Sequence, residues 1–413
     1  MERSSATARG SAARWSAICV FALASTWNYL DRQLLSAAAP RVKAEFHLSN
    51  AGYGWVVAAF GLAYALASPA LGWFLDWIGL EVGICWAVGF WSLAAMICGW
   101  TRTFGQLVFS RVLLGIGESA GVPAAGKVNT IYLEPENRAL GAAVTQVGIT
   151  IGGVAAPLVM NGFIDWRSPF FICGALGFAW IPLWLGVRRA VKPIAIVPPR
   201  TTGGFELFAD RRLTLLAAAN ILWMVGYAFW SSWTTVYLAE TFHLDTRQAN
   251  AYAWFPPAAA TAGGFFGGWL SRRFIGQGAP AAQSRISAIG FSSIGCLVSI
   301  VGPFCHSPLV LTIVAGASYF WTLAGSVNLY TIPLDIWGGE RAGMAISFLV
   351  FAYGLLTLGI SPLIGAVVDR FGFGPVCWMI AIPPAFAWLL LKKIRGGPEA
   401  APEVNRSETA AQK

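Results

Sequence analysis

Two pairs of opposite charges interrupt otherwise apolar sequence. Asp31 and Arg32 are adjacent within Trp27-Asn28-Tyr29-Leu30-Asp31-Arg32-Gln33, and Arg111 and Glu118 flank Val112-Leu113-Leu114-Gly115-Ile116-Gly117. A spacing of seven is close to two helical turns, so Arg111 and Glu118 share a face with small Gly115 between them. There a neighbouring helix or a ligand can approach closely. A guanidinium holds a carboxylate through two parallel hydrogen bonds. A buried acid can take up and release a proton near neutral pH. The four groups could therefore couple an anion to a proton. The alternative is that Asp31 with Arg32 and Arg111 with Glu118 are structural pairs that only steady helix packing.

What must position them is a set of membrane helices. The 413-residue chain is 56% hydrophobic and 11% charged, with a mean hydropathy of +0.61. That leaves too little charge to coat a soluble protein of this size. Hydropathy gives about twelve spans, near 15–40, 52–76, 82–102, 105–131, 139–163, 168–188, 213–239, 249–271, 285–303, 308–333, 342–368 and 374–393. The runs are too long and too uniformly apolar for barrel strands, so the expected class is an all-α membrane protein. A charge centred in the bilayer costs roughly 2.5–3.5 kcal/mol, which gives each intramembrane charge a need for a reason.

The net charge of +9 is a topology signal. With the N-terminus in the cytoplasm, the cytoplasmic segments hold most of the basic residues, among them Arg14, Arg138, Arg188, Arg189, Arg211, Arg212, Arg272, Arg273, Arg285, Lys392 and Lys393. The other side holds Arg41, Lys43, Arg102, Arg167, Arg247 and Arg370. This asymmetry follows the positive-inside rule and puts both termini in the cytoplasm. No basic-aromatic module suggests nucleic acid as a partner. Ile18–Ser25 behind a basic start resembles a signal-peptide core, but Asp31 and Arg32 favour a retained first helix. Seven scattered cysteines and three separated histidines form neither a metal cluster nor a disulfide framework. No enzyme constellation and no GxxxxGK[ST] loop is present, so no cofactor is expected and the driving force would be an ion gradient. Lys127 is expected to snorkel to the cytoplasmic surface. His47 and His243 are expected to be solvated at loop edges.

The chain divides at Arg188–Arg212, where Pro198-Pro199-Arg200-Thr201-Thr202-Gly203-Gly204 suits a linker. The expected organisation is a cytoplasmic N-terminus (1–14), a six-helix bundle (15–188), a cytoplasmic linker (189–212), a second bundle (213–395) and a disordered tail (396–413). The halves echo each other. Phe46-His47-Leu48 and Asn50-Ala51 match Phe242-His243-Leu244 and Asn250-Ala251. Glu136-Asn137-Arg138-Ala139 with Pro157-Leu158 matches Glu340-Arg341-Ala342-Gly343 with Pro362-Leu363. Paired halves place a site at mid-membrane between them. The second half offers aromatics there: Tyr227, Trp230, Ser231, Thr234 and Tyr237 in the seventh span, and Tyr319, Thr322 and Ser326 in the tenth. Such a stripe could line a cavity, pack helices or form an interfacial belt.

Tyr29-Leu30-Asp31-Arg32, together with Arg111-x-x-x-Gly115-x-x-Glu118-x-x-x-x-Pro123, resembles the anion:cation symporter family of the major facilitator superfamily. Hexuronate and hexonate transporters and the vesicular glutamate and sialic-acid carriers belong to that family. The resemblance implies twelve helices in two pseudo-symmetric halves. It implies that Arg32 engages a substrate carboxylate, that Asp31 and Glu118 are the protonatable pair, and that Arg111 partners an acid. Tyr29 and Tyr64 match aromatic positions of the family's site, and Gln146, Thr150 and Tyr353 occupy its fifth- and eleventh-span positions. The fifth span here carries fewer Ser or Gln residues than sugar-acid carriers commonly show, and the eleventh lacks an Asn. These departures keep a less hydroxylated monocarboxylate or a dicarboxylate in play. Gly72-Trp73-Phe74-Leu75-Asp76-Trp77-Ile78-Gly79 resembles the superfamily signature without its usual basic residues, Leu80 and Glu81 standing there. Asp76 and Arg138 are the expected gate residues.

The expectation is proton-coupled symport of an organic anion, such as a hexuronate or hexonate, by a monomer in a bacterial inner membrane. A sodium-coupled or exporting carrier is the first alternative, and a non-transporting membrane receptor is the alternative of another class.

Overall fold

The computed structural model describes residues 2–191, 193–194 and 205–394. The linker segment Pro198–Gly204 and the tail from 396 lie outside the described residues, as do Lys192, Arg200, Arg395 and the side chain of Glu340.

The first half contains α1 (Glu2–Glu45), α2 (Asn50–Ile78), α3 (Leu80–Trp100), α4 (Phe104–Glu118), α5 (Gly121–Tyr132), α6 (Arg138–Asn161) and α7 (Ser168–Ala190). The second contains α8 (Arg211–Trp223), α9 (Val225–Phe242), α10 (Thr246–Ala253), α11 (Phe255–Gly276), α12 (Ala281–Cys296), α13 (Pro308–Leu329), α14 (Ile332–Phe371), α15 (Gly374–Ala381) and α16 (Pro383–Leu391). Four crossings are broken helices: α4–α5, α8–α9, α10–α11 and α15–α16. Prolines explain three of these breaks, at Pro123, Pro256-Pro257 and Pro383-Pro384, because proline lacks an N–H and clashes with the preceding turn. α14 also changes direction at Gly338, whose φ of 71° suits a residue without a Cβ.

Twelve crossings in two six-helix halves result. Ten are long and apolar enough to span a membrane by length and composition among the described residues. The other two are α1, which carries Asn28, Asp31 and Arg32, and the Gly/Ala/Pro-rich α10–α11.

Local chemistry sets the helix ends. Ser49, Thr103, Asp210 and Asp245 each accept a backbone N–H at a helix start, and Asp245 forms a full capping box with Gln248. The sequence echo becomes a structural one at Phe46-His47-Leu48 and Phe242-His243-Leu244. Both histidines are left-handed, with φ of 51° and 53°. They end α1 and α9 in the same way, a role that their expected loop-edge position did not include.

Glycines bring α1 against α6. A Cβ on Gly152 would lie 2.4 Å from the Thr26 carbonyl oxygen, and one on Gly148 would lie 2.5 Å from that of Ala22. Gly115 of α4 likewise abuts the Phe60 carbonyl of α2. These approaches fix the backbones that carry Tyr29, Arg32, Tyr64 and Glu118.

The halves are tied at one end of the bundle, the end that holds Glu45 and Asn50. Lys43 reaches Glu240 and Asn50 there. Asn50 also donates to Glu240 at 3.1 Å, and Asp369 accepts the backbone N–H groups of Asn50 and Ala51, both at 2.9 Å. Asn250 donates to the Ala37 carbonyl, and Asn161 to that of Arg247. The ion pairs described at the opposite end, Asp76–Lys127, Glu81–Arg188, Arg14–Glu134 and Arg285–Asp335, each stay within one half.

Candidate binding site

A cavity of about 890 Å³ lies between the halves. Its lining runs from Tyr53 and Ser36, near the tied end, to Asn129, Ala142 and Phe265, toward the other. Arg32 and Arg111 are the charged side chains in that lining among the described residues, and both come from the first half.

Arg32 stands between the cavity and Glu118. Its Nε donates to Glu118 Oε2 at 3.0 Å, and its Nη2 makes an ion-pair contact with the same oxygen at 2.9 Å. Glu118 is fully buried and is the last residue of α4, just before the break ahead of Pro123. Its second oxygen has no hydrogen-bond partner among the described residues. The Arg32 guanidinium sits inside an aromatic collar, 4.9 Å from the Tyr64 ring, 5.0 Å from Phe60 and 5.4 Å from Tyr29. Such contacts stabilise a cation without using its N–H groups.

Asp31 is 1% exposed, and neither of its carboxylate oxygens has a hydrogen-bond partner among the described residues. Arg111 is 3% exposed, lies 4.9 Å from the Phe60 ring, and leaves Nε and Nη1 without acceptors there. Arg32 thus pairs with Glu118, unlike the alternative of structural pairs Asp31–Arg32 and Arg111–Glu118, and no ion pair or hydrogen bond joins Asp31 to Arg111 among the described residues. Neighbouring residues on a helix point about 100° apart and do not face each other. Arg32 thus faces the cavity and α4, while Asp31 turns behind it.

The remaining expected residues divide into two groups. Tyr29, Tyr64, Gln146, Thr150, Tyr227, Tyr319 and Tyr353 line the cavity. The Tyr29 hydroxyl bonds that of Tyr227 at 2.8 Å, and Thr150 bonds Thr261 at 2.9 Å, so both contacts cross between halves. Tyr227 stands edge-on to Tyr319 at 5.8 Å and to Tyr353 at 5.6 Å. Trp230 is a correction. It is 2% exposed, packs in the core on the far side of α9, and donates Nε1 to Ser318 at 2.8 Å. Thr234 and Tyr237 are buried with it, so the seventh-span stripe is two faces, Tyr227 and Ser231 on the cavity and the rest in packing.

Lys127, expected to snorkel, ends on Asp76. It supplies the cation that Leu80 and Glu81 do not, and Glu81 turns to Arg188 instead. Arg138 donates to the carbonyls of Leu133, at 3.2 Å, and Thr130, at 3.5 Å, closing the end of α5.

Sequence reasoning missed Asn28, Phe60 and Thr261. Asn28 lies one turn before Arg32 and lines the cavity, and its Nδ2 is buried with no partner among the described residues. Its i, i+4 spacing to Arg32 was the available signal. Phe60 and Thr261 carry no signal of that kind, because only the packing of α2 and α11 brings them in.

Residues 21–345 match the family described as Major Facilitator Superfamily. A hexuronate transporter of Escherichia coli (strain K12) is 24% identical over 403 residues, covering 89% of this chain and 91% of that protein. A galacturonate transporter of Dickeya chrysanthemi is 23% identical, covering 63% and 82%. A bacterial homologue of the human lysosomal transporter Spinster, solved in an inward-facing, occupied conformation, superposes with a TM-score of 0.71 at 21% identity, covering 92% of this chain and 94% of that one. The matched family and these relatives are transporters, not enzymes.

Proposed function

This chain belongs to the Major Facilitator Superfamily, and from that premise we propose that it is a proton-coupled symporter of an organic anion, with sugar acids such as hexuronates and hexonates as the first substrates to test. The observation that carries the reading is the Arg32–Glu118 pair at the wall of a central cavity, with Arg111 also in that lining and Asp31 buried out of it. The names of the bacterial relatives support the substrate class.

With Glu118 ionised, the Arg32 guanidinium is held by it, through the Nε hydrogen bond and the ion pair. Protonation of Glu118 removes that acceptor's charge and frees the guanidinium for a substrate carboxylate. Deprotonation restores the internal pair and expels the anion. Asp31 is buried one residue before Arg32 on the same helix, and in a low-dielectric region a proton on it would also alter the charge balance around the pair. No cofactor enters beyond the coupling ion, and sodium in that role would be revealed by uptake that follows sodium at constant pH. One chain supplies both walls of the cavity, so a monomer suffices.

The orientation comes from the basic residues. The end that holds Asp76, Arg138 and Arg188 is cytoplasmic, and the tied end faces outward. The arrangement is then inward-open in a bacterial inner membrane, with both termini in the cytoplasm. The bundles 15–188 and 213–395 would rock about the site, joined by the segment 189–212. Asp76 with Lys127 and Arg138 at the end of α5 are the cytoplasmic gate elements.

The test is uptake of labelled glucuronate by proteoliposomes under an imposed pH gradient. Arg32→Ala should abolish both uptake and counterflow. Asp31→Asn and Glu118→Gln should keep counterflow while losing concentration against a gradient. If both acid variants still concentrate substrate on a pH gradient, proton coupling through these groups is wrong.

A further inference from the structure

The two walls of the cavity differ in chemistry. The first half supplies all the charge in the described lining, and also its amides, including Asn28 and Gln146. The second half supplies no charged side chain and no Asn or Gln among the described residues. Three of its aliphatic hydroxyl groups already donate to their own helix: Thr357 to the Tyr353 carbonyl at 2.7 Å, Thr261 to that of Pro257 at 3.2 Å, and Ser231 to that of Ala228 at 3.4 Å. What this wall does offer is the connected aromatic surface of Tyr227, Tyr319 and Tyr353.

A ligand that fits both walls is two-faced. Its anionic group belongs on Arg32. Its hydrogen-bonding edge belongs on Asn28, whose buried Nδ2 lacks an acceptor, and on Gln146. Its opposite face must be broad and apolar to cover tyrosine rings. A pyranose uronic acid has this shape, with hydroxyls at the rim and C–H groups across the ring. An open-chain hexonate has the same hydroxyl chemistry without a flat face. It also has more rotors to freeze and more hydroxyls to satisfy, and it presents them on every side to a wall made largely of aromatic rings, where unpaired buried polar groups are costly. A second carboxylate would lie against the uncharged wall, where burying an unpaired charge is costly.

We propose that this site selects a cyclic, singly charged sugar acid over open-chain hexonates and over dianions, with Tyr319 and Tyr353 as the residues that set the preference. The proposal rests on the reading of Arg32 as the carboxylate-binding group.

The experiment is equilibrium binding to the purified full chain in detergent, with thermal shift as a second readout. The probes are methyl galacturonoside, whose ring cannot open, galactonate as the open chain, and galactarate as the dianion. Methyl galacturonoside should bind at least about tenfold tighter than galactonate, by the combined loss of ring contact and added ordering. Galactarate should bind more weakly still. Tyr319→Leu and Tyr353→Leu should each weaken methyl galacturonoside by about 2- to 10-fold, the factor that an aromatic contact carries, and leave galactonate within about 2-fold. The Phe variants keep the ring and should hold the preference, which separates lost packing from misfolding. Galactonate binding as tightly as methyl galacturonoside, or Leu variants that weaken both equally, would overturn the proposal and leave the transport reading standing. If none of the three binds more tightly than it does to Arg32→Ala, the transport reading of the site falls as well.

Discussion

At the scale of single residues, the cavity separates two jobs that the sequence places side by side. Arg32 is presented to the cavity while its neighbour Asp31 is turned into protein. Helical geometry imposes that separation. It makes Glu118, not Asp31, the acid paired with the guanidinium, and in the proposed cycle the one that competes with a ligand for it. Glu118→Gln should therefore raise anion affinity at high pH, where the native carboxylate is ionised and occupies Arg32. Near and below the range in which Glu118 takes up its proton, variant and native chains should converge. Binding titrations of glucuronate across pH check this, and equal pH dependence in both proteins would contradict it.

At the scale of elements, close approach and capping do most of the positioning. Gly152 lets α6 touch the α1 backbone next to Tyr29 and Arg32. Gly152→Leu should force these helices apart at a cost of about 1–3 kcal/mol or more, as overpacking does. It should lower the melting temperature and reduce binding together. Asp210 starts α8, accepting the Arg212 backbone N–H at 2.8 Å, and it also takes the Arg212 guanidinium and the Trp337 indole N–H. The guanidinium, followed by the other donors, outweighs desolvation and holds this carboxylate down to about 2. A folded-state value below the unfolded one adds stability that is complete above about pH 4. That stability is lost as pH falls through about 2. Asp210→Asn should cost little at the cap itself, because Asn also caps well. It should flatten the acid limb of a thermal-stability profile between about pH 4 and 2.

At the scale of the molecule, the halves meet at one end through Lys43, Asn50, Glu240 and Asp369. Asp369 accepts two of the free N–H groups at the start of α2, where a negative charge also complements the helix dipole. Opening that end must break this set. Glu240→Gln combined with Asp369→Asn should therefore favour the alternative arrangement. Thiol labelling of a cysteine at Ser36, in a background lacking the native cysteines, should become several-fold faster from the tied side. An unchanged rate would show that the cluster does not hold the halves together.

The sequence by itself determined the solvent, the number of crossings and the duplicated halves. Those follow from apolar run length, from the placement of basic residues and from repeated short motifs, which are local properties that no neighbour can change. It also singled out Asp31, Arg32, Arg111 and Glu118, because charge in an apolar run is rare enough to stand out. Only the tertiary structure decided who faces whom. Arg32 meets Glu118 because α4 breaks at the level of α1, and Tyr227 faces the cavity while Trp230 three residues on is sealed in the core. Asn28 and Thr261 enter the site only because α1 and α11 pack with those faces on the cavity. Polar and aromatic residues in membrane helices serve packing and binding alike, and only the neighbouring helix distinguishes the two.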